Sequence, residues 1–307
     1  MLSDIRKRIV FALNRRNMLD FLSDKAFLKL MFYVRMGKKL NLKNPTTFNE
    51  KLQWLKLYDR KPLYTTMVDK YEVKKYVGGI IGEEYIIPTL GVWEKFEEID
   101  FSTLPEQFVL KCTHDSGGLV ICKDKSNFDI PSAREKIDRC LHANYYRHGR
   151  EWPYKNVQPR IIAEKYMEDD SRKLPAGNEQ ANSELKDYKL FCFNGEPKIT
   201  LVCSGRYSEL GLQEDFFDER WEHLPVKRPC HPNVAALLKK PETLEQMQAL
   251  ARQLSEHMPF VRVDFYEING HVYFGEMTLY PASGMVGFEP TEWDQKLGAY
   301  IRLPKEN

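Results

Sequence analysis

The chain has 307 residues, 42% hydrophobic and 12% aromatic, with 46 lysines and arginines against 44 aspartates and glutamates for a net charge of +2. That length and apolar fraction provide a full hydrophobic core, and nothing in the nearly cancelled charge points to nucleic acid, which would want a concentrated basic surface. No apolar run approaches the ~20 residues of a membrane-crossing helix. The six cysteines lack C-x-x-C pairs and zinc spacing, which points to a reduced, cytoplasmic protein.

The opening stretch, MLSDIRKRIVFALNRRNML, draws as a helix with Ile5, Ile9 and Ala12 on one stripe and Arg6, Arg8, Arg15 and Arg16 adding charge. It reads as a helix packed on its own domain, or as one lying on the inner face of the membrane. Residues 44–59 open with a Thr47-x-x-Glu50 capping box and continue with Leu52 and Leu55 at helical spacing. A second amphipathic helix is predicted over 66–77, ended by Gly78-Gly79. Strand signals start at 85–90, and QFVLKC, HDSGG and LVIC predict a hairpin over 108–122. Pro131, Ser132 and Glu135 open a helix that runs to Tyr146. IIAEKYM is a buried strand, and the polar stretch 170–184 is a long loop. YKLFCFNGEPKITLVCS predicts a hairpin turned at Asn194-Gly195. The strongest amphipathic helix spans 241–258. VRVDFYEI and HVYFGEMTL form a third hairpin, turned at Asn269-Gly270. A last helix starts near Thr291, with Asp294 at the capping-box position. Helix and strand signals alternate, so the fold class is α+β.

The third hairpin carries the most chemistry. Arg262, Asp264, Glu276 and Thr278 are polar residues inside otherwise apolar strands, where charges have no packing value. Side chains alternate faces, so parity decides whether they meet. A plain two-residue Asn-Gly loop puts Asp264 and Glu276 on opposite faces. A three-residue loop with Gly270 as a left-handed bulge puts all four on one face and Val261, Val263, Phe265, Met277 and Leu279 on the other. The apolar pattern selects the odd loop. Two carboxylates beside an arginine suit Mg²⁺ bridging phosphate oxygens, and equally an arginine–carboxylate network on a half-exposed sheet.

Lys111 stands in the middle of an apolar strand and is followed by His114, Ser116, Gly117 and Gly118. Small residues let backbone N–H groups approach phosphates closely, and the same letters suit an ordinary glycine turn beside a snorkelling lysine. In IIAEKYMEDD, Glu164 or Lys165 faces inward if the strand is central.

These three elements, in this order, resemble the ATP-grasp superfamily. PTTFNEKLQWLKLYDRKPLYTTMVDKYEVKKYV, FVLKCTHDSGG and EMTLYPASG are more closely similar to the TupA-like ATP-grasp family, whose members are encoded with bacterial surface-polysaccharide genes. The resemblance runs from about Leu22 to Pro304. It implies two α+β subdomains that clasp ATP, with a smaller helical and α/β region ahead of them. The expected regions are 1–105, 106–170 and 171–307. It implies that Lys111 and Lys70 reach the nucleotide phosphates, that Ser116, Gly117 and Gly118 close over them, and that Glu164 lies near the adenine amino group. Lys165, Tyr166 and Met167 belong to the adenine linker, and Tyr166 and Met167 offer backbone groups to the base. Asp170, with Glu168 and Asp169, is a candidate for the ribose. Asp187 and Lys189 match a D-x-[RK] strand. Asp264 and Glu276 match the metal-binding acids, and Arg262 the arginine that steadies an acyl-phosphate. The usual asparagine two residues after the glutamate is Thr278 here, a poorer Mg²⁺ donor. His114 reads as a general base, a phosphate donor or an exposed turn histidine.

The implied reaction is ATP- and Mg²⁺-dependent ligation of a carboxylate, a hexuronic acid of a surface polysaccharide or its precursor, to an amino acid or small amine. YPASGMVGFEP is the acceptor-side loop. The rival readings are a glycosyltransferase using a sugar nucleotide, for which the acidic runs at 168–170 and 214–219 lack a D-x-D setting, and a non-catalytic nucleotide-binding scaffold.

Overall fold

The computed structural model describes residues 2–169, 185–205, 211–234 and 238–305. Helices come first: α1 (Leu2–Arg15), α2 (Asp24–Met36), α3 (Phe48–Tyr58), α4 (Leu63–Val68) and α5 (Glu72–Ile81). The Thr47 hydroxyl accepts from the Glu50 N–H while the Glu50 carboxylate accepts from the Thr47 N–H, so the predicted capping box starts α3. The single helix expected over 66–77 is two. Asp69 breaks it, accepting from the Tyr71 and Glu72 N–H groups and pairing with Arg160 at 2.7 Å. Gly78 and Gly79 lie inside α5, which stops at Gly82.

Two antiparallel sheets follow. The first contains β1 (Thr89–Trp93), β2 (Phe108–Cys112), β3 (Leu119–Cys122) and β4 (Ile161–Lys165) in the order β1-β4-β2-β3. Its apolar face packs on α6 (Ile130–Leu141), with Phe108, Leu110, Cys112, Ile161 and Ala163 against Ala133 and Ile137. Asp129 caps α6 by accepting from the Ser132 N–H, in place of the expected Ser132–Glu135 box. The helix ends before Tyr146, where the short α7 (Tyr146–Gly149) begins.

The second sheet contains β5 (Asp187–Phe193), β6 (Glu196–Ser204), β7 (Gln213–Asp218), β8 (Phe260–Ile268) and β9 (His271–Thr278) in the order β7-β6-β5-β8-β9. The acidic run at 214–219 therefore lies mostly within a strand. One face of this sheet buries the apolar stripe of α8 (Leu244–Leu254), whose Met247, Leu250, Ala251 and Leu254 are inside. On the other face the strand ends near Phe193 are closed by Phe48 of α3, with ring centroids 5.0 Å from Phe260 and 6.2 Å from Phe191. Further along that face Lys189, Asp187, Arg262 and Asp264 stand in the central strands, beside the apolar Leu201 and Phe216 of β6 and β7. The last helix, α9 (Glu292–Tyr300), has no side-chain cap. Asp294 instead accepts from the Asn49 backbone N–H and side-chain amide, which ties α9 to α3.

The β8–β9 turn corrects the register prediction. Ile268 faces His271 across a plain two-residue Asn269-Gly270 loop. Parity changes instead inside the ladder: Asp264 pairs with Glu276 but Phe265 pairs with Phe274, so Gly275 is the extra residue of a bulge. A Cβ on Gly275 would sit 3.1 Å from the Asp264 carbonyl oxygen. The four polar residues share a face as the apolar pattern requires, and the device that puts them there is Gly275.

Candidate active site

Alternation along β2 sends Phe108, Leu110 and Cys112 into the core and leaves Val109 and Lys111 on the opposite face. On β4, Glu164 stands opposite Val109 and Ile162 opposite Lys111, so Lys111 and Glu164 are diagonal neighbours. Lys111 Nζ lies 2.5 Å from Glu164 Oε2, and Lys74 Nζ, from α5, lies 2.5 Å from Oε1. Burial raises the Glu164 carboxyl, but the two ammonium groups outweigh it and hold it at about 2. Burial also pulls Lys74 below the ordinary lysine value.

Val109, Lys111, Leu119, Ile121 and Glu164 wall one side of a cleft of about 620 Å³. Leu185, Asp187 and Tyr266 line it from the second sheet, and Lys165, Tyr166 and Met167 border it where β4 ends. An apolar slot with a few convergent charges suits a flat base carrying an anionic tail.

The loop from His114 to Gly118 joins β2 to β3. The Gly118 N–H donates to Asp115 Oδ2 at 2.7 Å, and a Cβ there would meet Cys112 Sγ at 2.7 Å, so only glycine fits. Around Gly117 a Cβ meets nothing within 4 Å. The α4–α5 break presents Lys70 to this loop. Its N–H donates to the Thr113 carbonyl at 3.0 Å, and Nζ donates to the carbonyls of Cys112 (3.2 Å) and Asp115. The Tyr145 hydroxyl hydrogen-bonds the Ser116 side chain. His114 is set apart: Nε2 is 3.1 Å from both the Cys140 and Ala143 carbonyls, so it carries the proton and anchors the loop to the end of α6. Burial lowers its pKa, leaving a neutral ring.

Across the second sheet, Lys189, Asp264 and Glu276 stand side by side on β5, β8 and β9. Arg262 holds Asp264 with two bonds of 2.6 Å and reaches Glu276 Oε1 at 2.8 Å. Lys189 Nζ is 2.5 Å from both Asp264 and Asp187. The Thr278 hydroxyl is 3.5 Å from Glu276 Oε1. Burial raises Asp264, against the pull of Arg262 and Lys189. Glu276 is also raised by burial, but Arg262, Lys189 and Lys70 bring it down to about 2. Asp264 is buried, whereas Glu276 keeps 45% of its side chain exposed. Asp170 lies outside the described residues.

The structure thus brings Lys70 and Lys111 to one side and Asp187, Lys189, Arg262, Asp264, Glu276 and Thr278 to the other. Sequence reasoning missed several neighbours. Lys74 and Asp115 acquire partners only through the fold. Lys56 is fully buried on α3, where its Nζ donates to Gly149 O, Ser283 O and Ser283 Oγ, each at 2.8 Å. These bonds hold the YPASG loop, where Ala282 and Ser283 are left-handed with φ of 49° and 56°. Glu214 and Arg228 are a buried pair 3.6 Å apart, with the guanidinium 5.7 Å from the Phe288 ring.

Two carboxylates in register, one of them partly exposed and beside a hydroxyl, are hard oxygen donors of the kind Mg²⁺ takes. The residues present fit that ion.

The family model described as TupA-like ATPgrasp matches residues 50–302. No curated protein matches the sequence. Similar solved structures include a D-alanine–D-alanine ligase from Helicobacter pylori, with 15% identity over 85% of this chain and 68% of that chain and a TM-score of 0.44. A RimK domain protein ATP-grasp from Sphaerobacter thermophilus shows 11% identity over 80% and 70%, with a TM-score of 0.42. A phosphoribosylamine–glycine ligase from Thermotoga maritima shows 12% identity over 72% and 51%, with a TM-score of 0.38.

Proposed function

This chain belongs to the TupA-like ATP-grasp family, within the ATP-grasp ligases, and from that premise we propose that it joins a carboxylate to an amine through an acyl-phosphate formed from ATP. The carboxylate is a hexuronic acid of a bacterial surface polysaccharide or its precursor, and the nucleophile an amino acid or small amine. The observation that carries the reading is the pair of facing charge clusters. Lys111 and Glu164 line one wall of the cleft, with Lys74 behind them on Glu164, and Asp187 lines the other, linked through Lys189 to Asp264 and the Arg262–Glu276 pair.

In this reading the base lies against Val109, Leu119 and Ile121, with Lys165, Tyr166 and Met167 at its edge. Glu164 fixes Lys111 and Lys74 beside it. Lys70 and Lys111 face the phosphates, with Ser116, Gly117 and Gly118 above them. Asp264, Glu276 and Thr278 would hold Mg²⁺, which when bound supplies charge neutralisation at the phosphate oxygens. A substrate carboxylate oxygen bonds to the γ-phosphorus and ADP departs. The amine then bonds to the acyl carbon, loses a proton, and phosphate departs. Arg262 steadies the acyl-phosphate, and Lys189 keeps Asp187 as its partner when Asp264 is engaged. His114 contributes by holding the loop. Residues 106–170 and 171–307 carry the two clasping halves, with β1 as the edge strand of the first.

A thermal-shift titration with Mg·ATP tests the site. Saturation at 100-fold over the dissociation constant stabilises the protein by ~2.7 kcal/mol, and Glu276→Gln shrinks that shift. ADP and phosphate form only when uronate and amine are both present. No shift at millimolar Mg·ATP would refute the nucleotide site. A shift with no turnover on any uronate–amine pair would refute the substrate assignment alone.

A further inference from the structure

The face of α1 turned away from the protein is unlike its inner face. Val10, Phe11 and Leu13 pack against the main core, and the Asn14 amide donates to the His148 carbonyl, so the helix is docked. Yet Ile5 and Ile9 remain 50% and 52% exposed, and the turn that follows presents Met18 at 55% and Phe21 at 81%. Four large apolar side chains thus stand half or more exposed along one helix and its following turn.

The charges around them have one sign. Arg8, Arg15, Arg16, Lys25 and Lys29 are exposed on the same segment. Its acids are already engaged: Asp20 pairs with Arg147 at 3.3 Å and Arg150 at 3.5 Å, and Asp24 with Arg60 at 2.6 Å and the Tyr146 hydroxyl. Apolar side chains that project beside a belt of arginine and lysine with no carboxylate partner among the described residues match an anionic bilayer, where the apolar tips enter the acyl boundary and the cations meet phosphate headgroups. A water-soluble protein partner would need acidic and apolar groups interleaved on one rigid surface, whereas a lipid surface supplies both by its nature.

We infer that residues 5–29 form a docking surface for an anionic phospholipid bilayer, held in place by the inner face of α1. Among the described residues no helix is long and apolar enough to cross a membrane, so attachment through this surface is peripheral. The inference stands apart from the ligase reading and survives or fails without it.

Co-sedimentation of the full chain with vesicles decides the matter. Binding is expected to phosphatidylglycerol-containing vesicles and not to pure phosphatidylcholine, and to weaken as salt is raised. Arg15→Gln with Arg16→Gln lowers the partition coefficient about thirtyfold, at about one kcal/mol per charge. Met18→Ser with Phe21→Ser lowers it about tenfold. Both double variants keep the wild-type melting temperature and thermal response to Mg·ATP, which separates lost docking from lost folding. Equal binding to phosphatidylcholine, no binding to either vesicle, or full binding by both variants overturns the inference. A wild-type dimer that Met18→Ser with Phe21→Ser makes monomeric, without vesicle binding, also overturns it and assigns the face to a second copy of the chain.

Discussion

The two sheets bury charge in opposite proportions. On the first, Lys74 and Lys111 share Glu164, a surplus of positive charge. On the second, Arg262 and Lys189 are set against Asp187, Asp264 and Glu276, a surplus of negative charge. Neither cluster is a structural ion pair in balance, and desolvated charge without its counterpart is costly. The difference suits the proposed ligand: the first sheet is complementary to an anion and the second to a cation. A triphosphate carrying a divalent metal satisfies both at once.

The largest test breaks the negative side. Asp264→Asn leaves Arg262 and Lys189 without their shared buried partner. Turnover should fall about a thousandfold and stability by about 3 kcal/mol, read by steady-state assay and urea unfolding. Activity within tenfold of wild type would mean that the second sheet's surplus has no part in the chemistry. Next, Glu164→Gln strands Lys111 of the first sheet and Lys74 of α5 and should cost about 3 kcal/mol in the same unfolding experiment. A loss below ~1 kcal/mol would place those lysines effectively in water and erase the contrast between the sheets.

The same carboxyl sharpens the comparison through pH. Its folded value, about 2, lies below the ordinary 4.5. Its contribution is therefore complete above pH 4.5 and is lost as pH falls toward 2. The acid limb of the stability profile should flatten in Glu164→Gln, and an unchanged limb would assign acid sensitivity elsewhere. The smallest effect is a gain. Thr278→Asn replaces the hydroxyl beside Glu276 with an amide oxygen, and should tighten Mg²⁺ dependence a few-fold in an ATP-saturated assay. Weaker dependence would show that the hydroxyl is the better fit to this site.

What the sequence disclosed follows from how local each cause is. Thr47 and Glu50 cap α3 within four residues, so their roles were legible. The shared face of Arg262, Asp264, Glu276 and Thr278 was legible because any other register exposes Val263 and Met277. The bulge was assigned to the turn although an isolated glycine inside a strand, Gly275, was the better sign. The break in the helix over 66–77 depends on Arg160, which is 91 positions from Asp69 and invisible to periodicity. Lys74 looked like one more polar residue on an amphipathic helix, because Glu164 reaches it only through the fold. Arg228 and Glu214 were missed for the same reason.

Lys56 has a consequence for how this protein can be divided. It sits on α3, ahead of both sheets, yet its ammonium group holds the carbonyls of Gly149 and Ser283. A fragment beginning at β1 would keep every strand named above, with Lys111, Glu164, Asp264 and Glu276, while losing Lys74 and the strut that holds the two loops together. The helices that precede the sheets are therefore no detachable handle. A chimera that exchanges them with another protein keeps the conformation of the loop at Ser283 only if it also inherits a lysine at that place.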